Sequence, residues 1–198
     1  MGRSIFRRVR PMNGYRMSDV TVLVLVGSLR AKSVNRQLAE LAAGSAPDGV
    51  LVTVYPDLGD LPFYNEDLDI EPAPAPVAAL RAAAAAADAA LVVTPEYNGT
   101  IPGVLKNAID WLSRPFGDGA LKGKPIAVIG AAMGRYGGVW AHDETRKSFG
   151  IAGPRVIETI TFSLPMSTLE GRHPGENAEV VAAIGQAVRD LAAEARRA

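Results

Sequence analysis

The run Val20-Thr21-Val22-Leu23-Val24-Leu25-Val26 constrains the fold of this chain more than any other feature. Its β-branched residues favour a strand. Because apolar residues do not alternate with polar ones, both faces must be covered, as in a strand inside a parallel sheet. Gly27-Ser28-Leu29-Arg30-Ala31-Lys32-Ser33-Val34-Asn35 follows at once. A helical pattern comes next: Asn35, Arg36 and Gln37 open it, Leu38, Leu41 and Ala42 share a face, and Gly44 ends it. A strand, a loop of glycine and hydroxyl residues and a helix start gather free N–H groups and the positive end of a helix dipole at one point. The segment is therefore a candidate anion site. Ser28, Ser33 and Asn35 add neutral hydrogen-bonding groups, and Arg30 adds a forked cation suited to phosphate.

The loop is neither Gly-x-Gly-x-x-Gly nor Gly-x4-Gly-Lys-Ser/Thr, so the dinucleotide fingerprint and the triphosphate cradle are both missing. A compact hydroxyl loop with one arginine suits a terminal monophosphate, which carries about two negative charges. An ordinary strand-to-helix turn, with Ser33 as N-cap and Arg30 in solvent, fits the same residues. The loop alone does not choose between them.

Composition narrows the classes. The chain has 198 residues, 48% of them apolar, which suits one domain with a sizeable core. Lys plus Arg equals Asp plus Glu at 21 each, so neither a nucleic-acid-binding basic face nor an acidic electron-carrier surface is expected. There is no cysteine, which excludes disulfides, thiol redox chemistry and thiolate-held metals. The two histidines, His142 and His173, are too few for the usual zinc or iron triads. No apolar run approaches the ~20 residues needed to cross a bilayer. Residues 1–16 carry Arg3, Arg7, Arg8, Arg10 and Arg16 and no acid. They read as a disordered extension, with Met17-Ser18-Asp19 as an alternative translation start. No apolar stretch follows the charges, as a secretory signal requires, and no apolar helical face suggests organelle targeting. A cytoplasmic location is expected.

Strand and helix patterns then alternate. Val50–Val54 reads as the second strand, an alanine-rich helix spans residues 76–87, and Ala89–Thr94 is the third strand. The third helix starts at Pro102 and carries Val104, Leu105, Ala108, Ile109 and Leu112 on one stripe. Pro125–Gly130 is the fourth strand, followed by a glycine-rich loop and a helix over 138–149. The fifth strand runs from Arg155 to about Thr159, with an extension through Phe162 open, and Val181, Ile184, Val188 and Leu191 mark the last helix. Residues 17–198 thus form a single domain of five βα units. They fit a doubly wound parallel sheet of order 2-1-3-4-5, whose loops after strands one and three part at a switch point and open a ligand crevice. Phosphoacceptor receiver domains share this layout, but Gly27-Ser28 and Thr94-Pro95 replace the acidic cluster and aspartate they need.

The loop after strand three, Thr94-Pro95-Glu96-Tyr97-Asn98-Gly99-Thr100-Ile101-Pro102-Gly103, must lie beside the first loop. Two prolines stiffen it and two glycines permit close approach or positive φ. Such a loop can present main-chain N–H groups to a flat heteroaromatic ring, with Tyr97 covering one edge. Alternatively, it is a turn whose prolines merely start the third helix.

With both loops written down, the chain resembles the NAD(P)H-dependent FMN reductase family, in its branch of quinone, chromate and azo-dye reductases. The resemblance rests on 27–35 and on Pro95 through Trp111, together with the turn 57–65 and the Gly134-x-x-Gly137-Gly138 loop. It covers residues 20 to about 160 and implies a flavodoxin-like fold that binds FMN. By resemblance Ser28, Arg30, Ser33 and Asn35, with Val34 between them, match the phosphate positions. Pro95, Glu96, Tyr97, Asn98 and Gly99 match the isoalloxazine loop. Met133, Gly134, Arg135, Tyr136, Gly137 and Gly138 match the wall closing over the flavin edge. Ala132-Met133 stands where family members often have a hydroxyl residue before the glycine, which leaves that wall more apolar.

The implied reaction passes hydride from NADPH or NADH to flavin N5 and then two electrons to a quinone or similar small acceptor. The flavin carries the chemistry, so no catalytic side chain is assigned. His142 is set aside as a partly exposed helix residue and His173 as surface loop. Arg135 is a candidate for a nicotinamide phosphate. The resemblance also implies a homodimer or homotetramer. Trp111, Trp140 and Tyr136 are candidates for that contact, with burial of the tryptophans in their own core equally open. Rival readings are a reductase supplying free reduced FMN to a monooxygenase, an FMN electron carrier, and a flavin-binding regulatory module without turnover.

Overall fold

The computed structural model describes residues 20–56 and 58–197. Residues 1–16, read as an extension, and Met17-Ser18-Asp19 lie outside the described residues. Five βα units follow in order: β1 (Val20–Val26), α1 (Val34–Gly44), β2 (Val50–Val54), α2 (Ala75–Ala86), β3 (Ala89–Val93), α3 (Gly103–Leu112), β4 (Pro125–Ala132), α4 (Val139–Ala152), β5 (Arg155–Pro165) and α5 (Ala178–Ala195). The strands are parallel and ordered β2-β1-β3-β4-β5. Crossing from β1 to β3 reverses the direction of winding and leaves a crevice between the loops that follow them.

The apolar run of β1 is sheathed on both faces. Val22, Val24 and Val26 pack with Leu38 of α1 and Ile184 and Leu191 of α5. Leu23 and Leu25 face the opposite layer, where Leu80 of α2, Leu105 and Trp111 of α3 and Phe149 of α4 are buried. Most element bounds fall within three residues of the sequence reading. The extension of β5 through Phe162, left open by the sequence, is present, and the strand runs on to Pro165. Ile126 pairs with Val156 but Val128 with Thr161, so three extra residues loop out before pairing resumes through Ala132 and Pro165.

The switch point depends on two missing side chains. A Cβ on Gly27 would collide with the Thr94 hydroxyl, and one on Gly130 would strike the Thr94 carbonyl oxygen, with Asn35 Oδ1 and His142 Nε2 each 2.8 Å away. Glycine at both positions lets the C-terminal ends of β1, β3 and β4 converge.

Candidate functional site

The loop after β1 holds donors that the fold does not use. Ser28 and Ser33 are 2% and 1% exposed, yet neither hydroxyl has a partner among the described residues. Ser33 occupies the N-cap position of α1, but its side chain makes no capping bond. The simple-turn reading assigned it that bond. The first N–H groups of α1 therefore remain open. The Arg30 guanidinium is exposed and likewise unpartnered among the described residues, and Val34 is half-buried above Leu38. Asn35 is different. Its carboxamide donates to the Ala131 carbonyl at 2.9 Å and accepts from the Ala131 N–H at 2.8 Å, fastening the first turn of α1 to the end of β4.

The loop after β3 is a tight hairpin. Tyr97 and Thr100 exchange both main-chain hydrogen bonds, at 3.2 and 3.1 Å, while Asn98 (φ 53°) and Gly99 (φ 76°) form the tip. Two successive left-handed residues suit Asn-Gly and little else. Pro95 is buried, Glu96 half-buried and Tyr97 exposed. The N–H groups of Glu96, Asn98 and Gly99 donate to no acceptor among the described residues.

The third loop leads into α4. Met133 is 82% exposed, and Gly134 accepts from the Gly137 N–H at 2.9 Å. Gly137 (φ 64°) lies against the main chain of Ser163 and Leu164, and Gly138 (φ 97°) opens the helix. The Arg135 guanidinium sits 4.6 Å over the Tyr136 ring, which in turn lies 5.8 Å from the exposed Trp140.

Two consecutive residues of α4, Ala141 and His142, hold the hairpin loop, with Trp140 before them. The Trp140 ring stands 3.8 Å from where a Gly99 Cβ would be. The Ala141 N–H donates to Glu96 Oε2 at 3.2 Å, so a carboxylate from another loop caps a helix that begins on glycine. His142 Nε2 lies 2.9 Å from the Thr94 carbonyl, and its Nδ1 lies 2.7 Å from Ser163 Oγ. Contrary to the partly exposed position expected of it, His142 is fully buried. Burial pushes its pKa below the ordinary value, with Arg146 acting the same way and the Thr94 bond, Glu96 and Asp143 acting against it. A carbonyl only accepts, so Nε2 carries the proton in the neutral ring and Nδ1 accepts from the Ser163 hydroxyl. The sequence gives no sign of Thr94 or Ser163 in this role, because their partner is 48 and 21 residues away. His173 is exposed as expected and accepts from the Gly175 N–H.

Two clefts merit comparison. One of about 410 Å3 lies at the switch point, lined by Gly27, Ser28, Leu29, Arg30, Tyr97 and Pro102 among others. The second, about 370 Å3, lies between the C-terminal ends of α3 and α4 around Ile109, Arg114, Phe116 and Ile151. Of these two, only the first borders an unspent hydroxyl, that of Ser28, and it reaches the first residues of α3, Gly103 and Val104, while Val34 and Gln37 of α1 line a further cleft of about 370 Å3 with Met166 and Arg172. The volume of the switch-point cleft lies in the range of small-molecule sites. The unpartnered hydroxyls of two buried serines, a forked cation and open N–H groups form a donor set that matches a phosphate, so these residues fit the tail of FMN. Leu29 and Pro102, which the sequence reading did not assign to the site, also line the cleft.

Fold and crevice place the chain among the flavodoxin-like α/β proteins; a flavodoxin from the domain Archaea superposes with a TM-score of 0.61 at 15% identity, over 89% of this chain and 99% of that one. The profile of the NADPH-dependent FMN reductases matches residues 20–168, and the chain belongs to that family. A quinone reductase of Pseudomonas putida is 45% identical over 133 residues, 67% of this chain and 71% of that protein. A 2-hydroxy-1,4-benzoquinone reductase of Burkholderia is 45% identical over 63% of this chain and 67% of its own length. The flavoenzyme NAD(P)H:(acceptor) oxidoreductase of Paracoccus denitrificans superposes with a TM-score of 0.80 at 32% identity, over 90% of this chain and 98% of that one. Among the described residues no helix is long and apolar enough to cross a membrane.

Proposed function

We propose that the switch-point crevice holds FMN and that the chain is an NAD(P)H-dependent quinone reductase acting in the cytoplasm, where reduced nicotinamides are kept. One observation carries the reading: among the described residues the Ser28 and Ser33 hydroxyls, the Arg30 guanidinium and the first N–H groups of α1 have no partner, and they stand beside a hairpin with three open N–H groups. FMN held there would supply the redox chemistry, two-electron transfer from NADPH or NADH to the acceptor.

The residues divide this work by position. Ser28, Arg30, Ser33 and the N–H groups at Val34 and Asn35 hold the phosphate, with the α1 dipole adding to the attraction. Asn35 acts mainly by fixing where α1 begins, since its amide already serves Ala131. Pro95 stiffens the hairpin, and the Glu96, Asn98 and Gly99 N–H groups meet polar atoms of the ring and favour negative charge there. Tyr97 shields one edge. Met133, Gly134, Arg135, Gly137 and Gly138, with Tyr136, would close over the flavin edge. Arg135 would meet a nicotinamide phosphate on leaving the Tyr136 ring. No side chain is assigned as acid or base.

The test is a visible spectrum of the purified protein, taken before and after NADPH under nitrogen. Yellow protein that bleaches, and then oxidises NAD(P)H with a quinone and no added reductase, is the expected result. Colourless protein that turns over only with added FMN would make flavin the substrate. Flavin that stays oxidised with both nicotinamides would refute the reductase reading. We also propose that the chain forms a homodimer or homotetramer through α3 and α4.

A further inference from the structure

We propose that His142 is the positioning residue of the ring-binding hairpin, a neutral imidazole that locks the start of the β3–α3 loop to β5 and to the first turn of α4. The proposal rests on the FMN reading above. Thr94 is the last residue before the hairpin. Its N–H is held by the Ile129 carbonyl at 3.0 Å, which leaves its own carbonyl as the point from which the loop departs. That carbonyl receives the imidazole Nε2–H at 2.9 Å, while Nδ1 is matched to Ser163 at 2.7 Å. Both ring nitrogens are therefore spent inside the protein, on two different elements, with no solvent reaching the ring.

The surroundings admit this ring and little else. Gly130 lies under the contact without a side chain, and Gly138 opens α4 with its absent Cβ 3.2 Å from Nε2. The preceding residue of α4, Ala141, holds the same loop at Glu96, so one helical turn fixes the hairpin at its root and its middle. Of these two holds, only the root also reaches a third element, β5. A shift at Thr94 is carried to every N–H of the hairpin that faces the ring, and loops placed to within ~0.5 Å need such support behind them.

Charge on the ring would undo the arrangement. Arg146 on α4 opposes a second proton, while Glu96 on the hairpin and Asp143 on α4 favour it. Burial tips the balance toward the neutral form. A second proton would sit on Nδ1 and force the Ser163 hydroxyl to turn and accept.

The experiment compares the wild type with His142→Leu, His142→Gln and Ser163→Ala. FMN affinity is read by flavin fluorescence quenching and ring environment by the visible band of bound FMN. The tautomer is read in the flavin-free wild type by 15N NMR, where two histidines make assignment direct. His142→Leu is expected to weaken FMN about tenfold and shift the visible band. His142→Gln, whose amide can still donate to Thr94, should recover to within about threefold of wild type, and Ser163→Ala should fall between them. The wild-type NMR should show the proton on Nε2.

Wild-type affinity and an unshifted band in a folded His142→Leu would overturn the proposal, as would a proton on Nδ1. If His142→Leu does not fold, Ser163→Ala with wild-type affinity and band overturns it. A wild type that binds no FMN refutes the functional reading and the positioning role together, whereas a wild type that binds normally beside unaffected variants refutes the positioning role alone.

Discussion

Gly130 sits where the Thr94 carbonyl, Asn35 of α1 and His142 of α4 need the same space. An alanine there must displace the Thr94 carbonyl, a main-chain atom that cannot swing away as a side-chain end can. Gly130→Ala is expected to cost about 1–3 kcal/mol, read as a fall in the urea midpoint with the m-value unchanged. Arg30 gives the opposite kind of variant. It is exposed and has no partner among the described residues, so Arg30→Ala should leave stability untouched. Losing a charged phosphate contact of ~1.5–3 kcal/mol should weaken FMN roughly tenfold to a hundredfold. Unchanged affinity would place the phosphate elsewhere. His142 adds a pH dependence with a definite sign. Its native pKa lies below its unfolded value of about 6.5, so the unfolded chain takes the proton first as pH falls. Its contribution is complete above that pH and shrinks below it until the native ring also titrates. The acid-side slope of the urea midpoint should flatten in His142→Gln.

At the scale of elements, α4 begins on a left-handed glycine and has no acid of its own in the first turn. Glu96 supplies the missing acceptor from the hairpin, and Glu96→Ala should cost about 0.5–2 kcal/mol while Glu96→Gln keeps most of it. Denaturant curves of the two variants separate the lost acceptor from lost charge. This contact also marks the limit of what the sequence discloses. The doubly wound order and the β1 loop are legible because they follow local pattern: an unbroken apolar run, a glycine-hydroxyl turn, a helical stripe. The Asn98–Gly99 tip is legible from its dipeptide alone. Contacts between loops carry no such mark. Nothing near position 142 announces burial, and Trp111 gives no hint that it packs edge-on against Tyr64 at 4.9 Å and donates to the Pro62 carbonyl at 2.8 Å. Trp111 therefore belongs to the core rather than to a subunit contact. In β5 the run through Phe162 is visible, but the bulge between Val156 and Thr161 is hidden for a related reason, since it depends on the pairing with β4.

For the molecule as a whole, the open question is what covers the face formed by α3 and α4. Phe116 and Ile151 are 85% and 76% exposed and flank the second cleft. Large apolar side chains grouped around a groove mark association surfaces more often than plain surface does. Charges of both signs border the groove, with Lys106 and Asp110 paired across one turn of α3 and Arg114 beyond them. Two copies related by a two-fold axis could therefore meet without stacking like charges, as a self-complementary interface requires. Light scattering of the intact chain is expected to give twice or four times the mass of one chain. Ile151→Asp, which places a charge in the apolar part of the groove, should shift the equilibrium toward single chains. Because Phe116 and Ile151 lie apart from the switch-point cleft, FMN affinity in that variant should fall only if the hairpin also depends on the neighbouring copy. A single-chain mass for the wild type at micromolar concentration would leave the exposed apolar pair without a partner of its own kind.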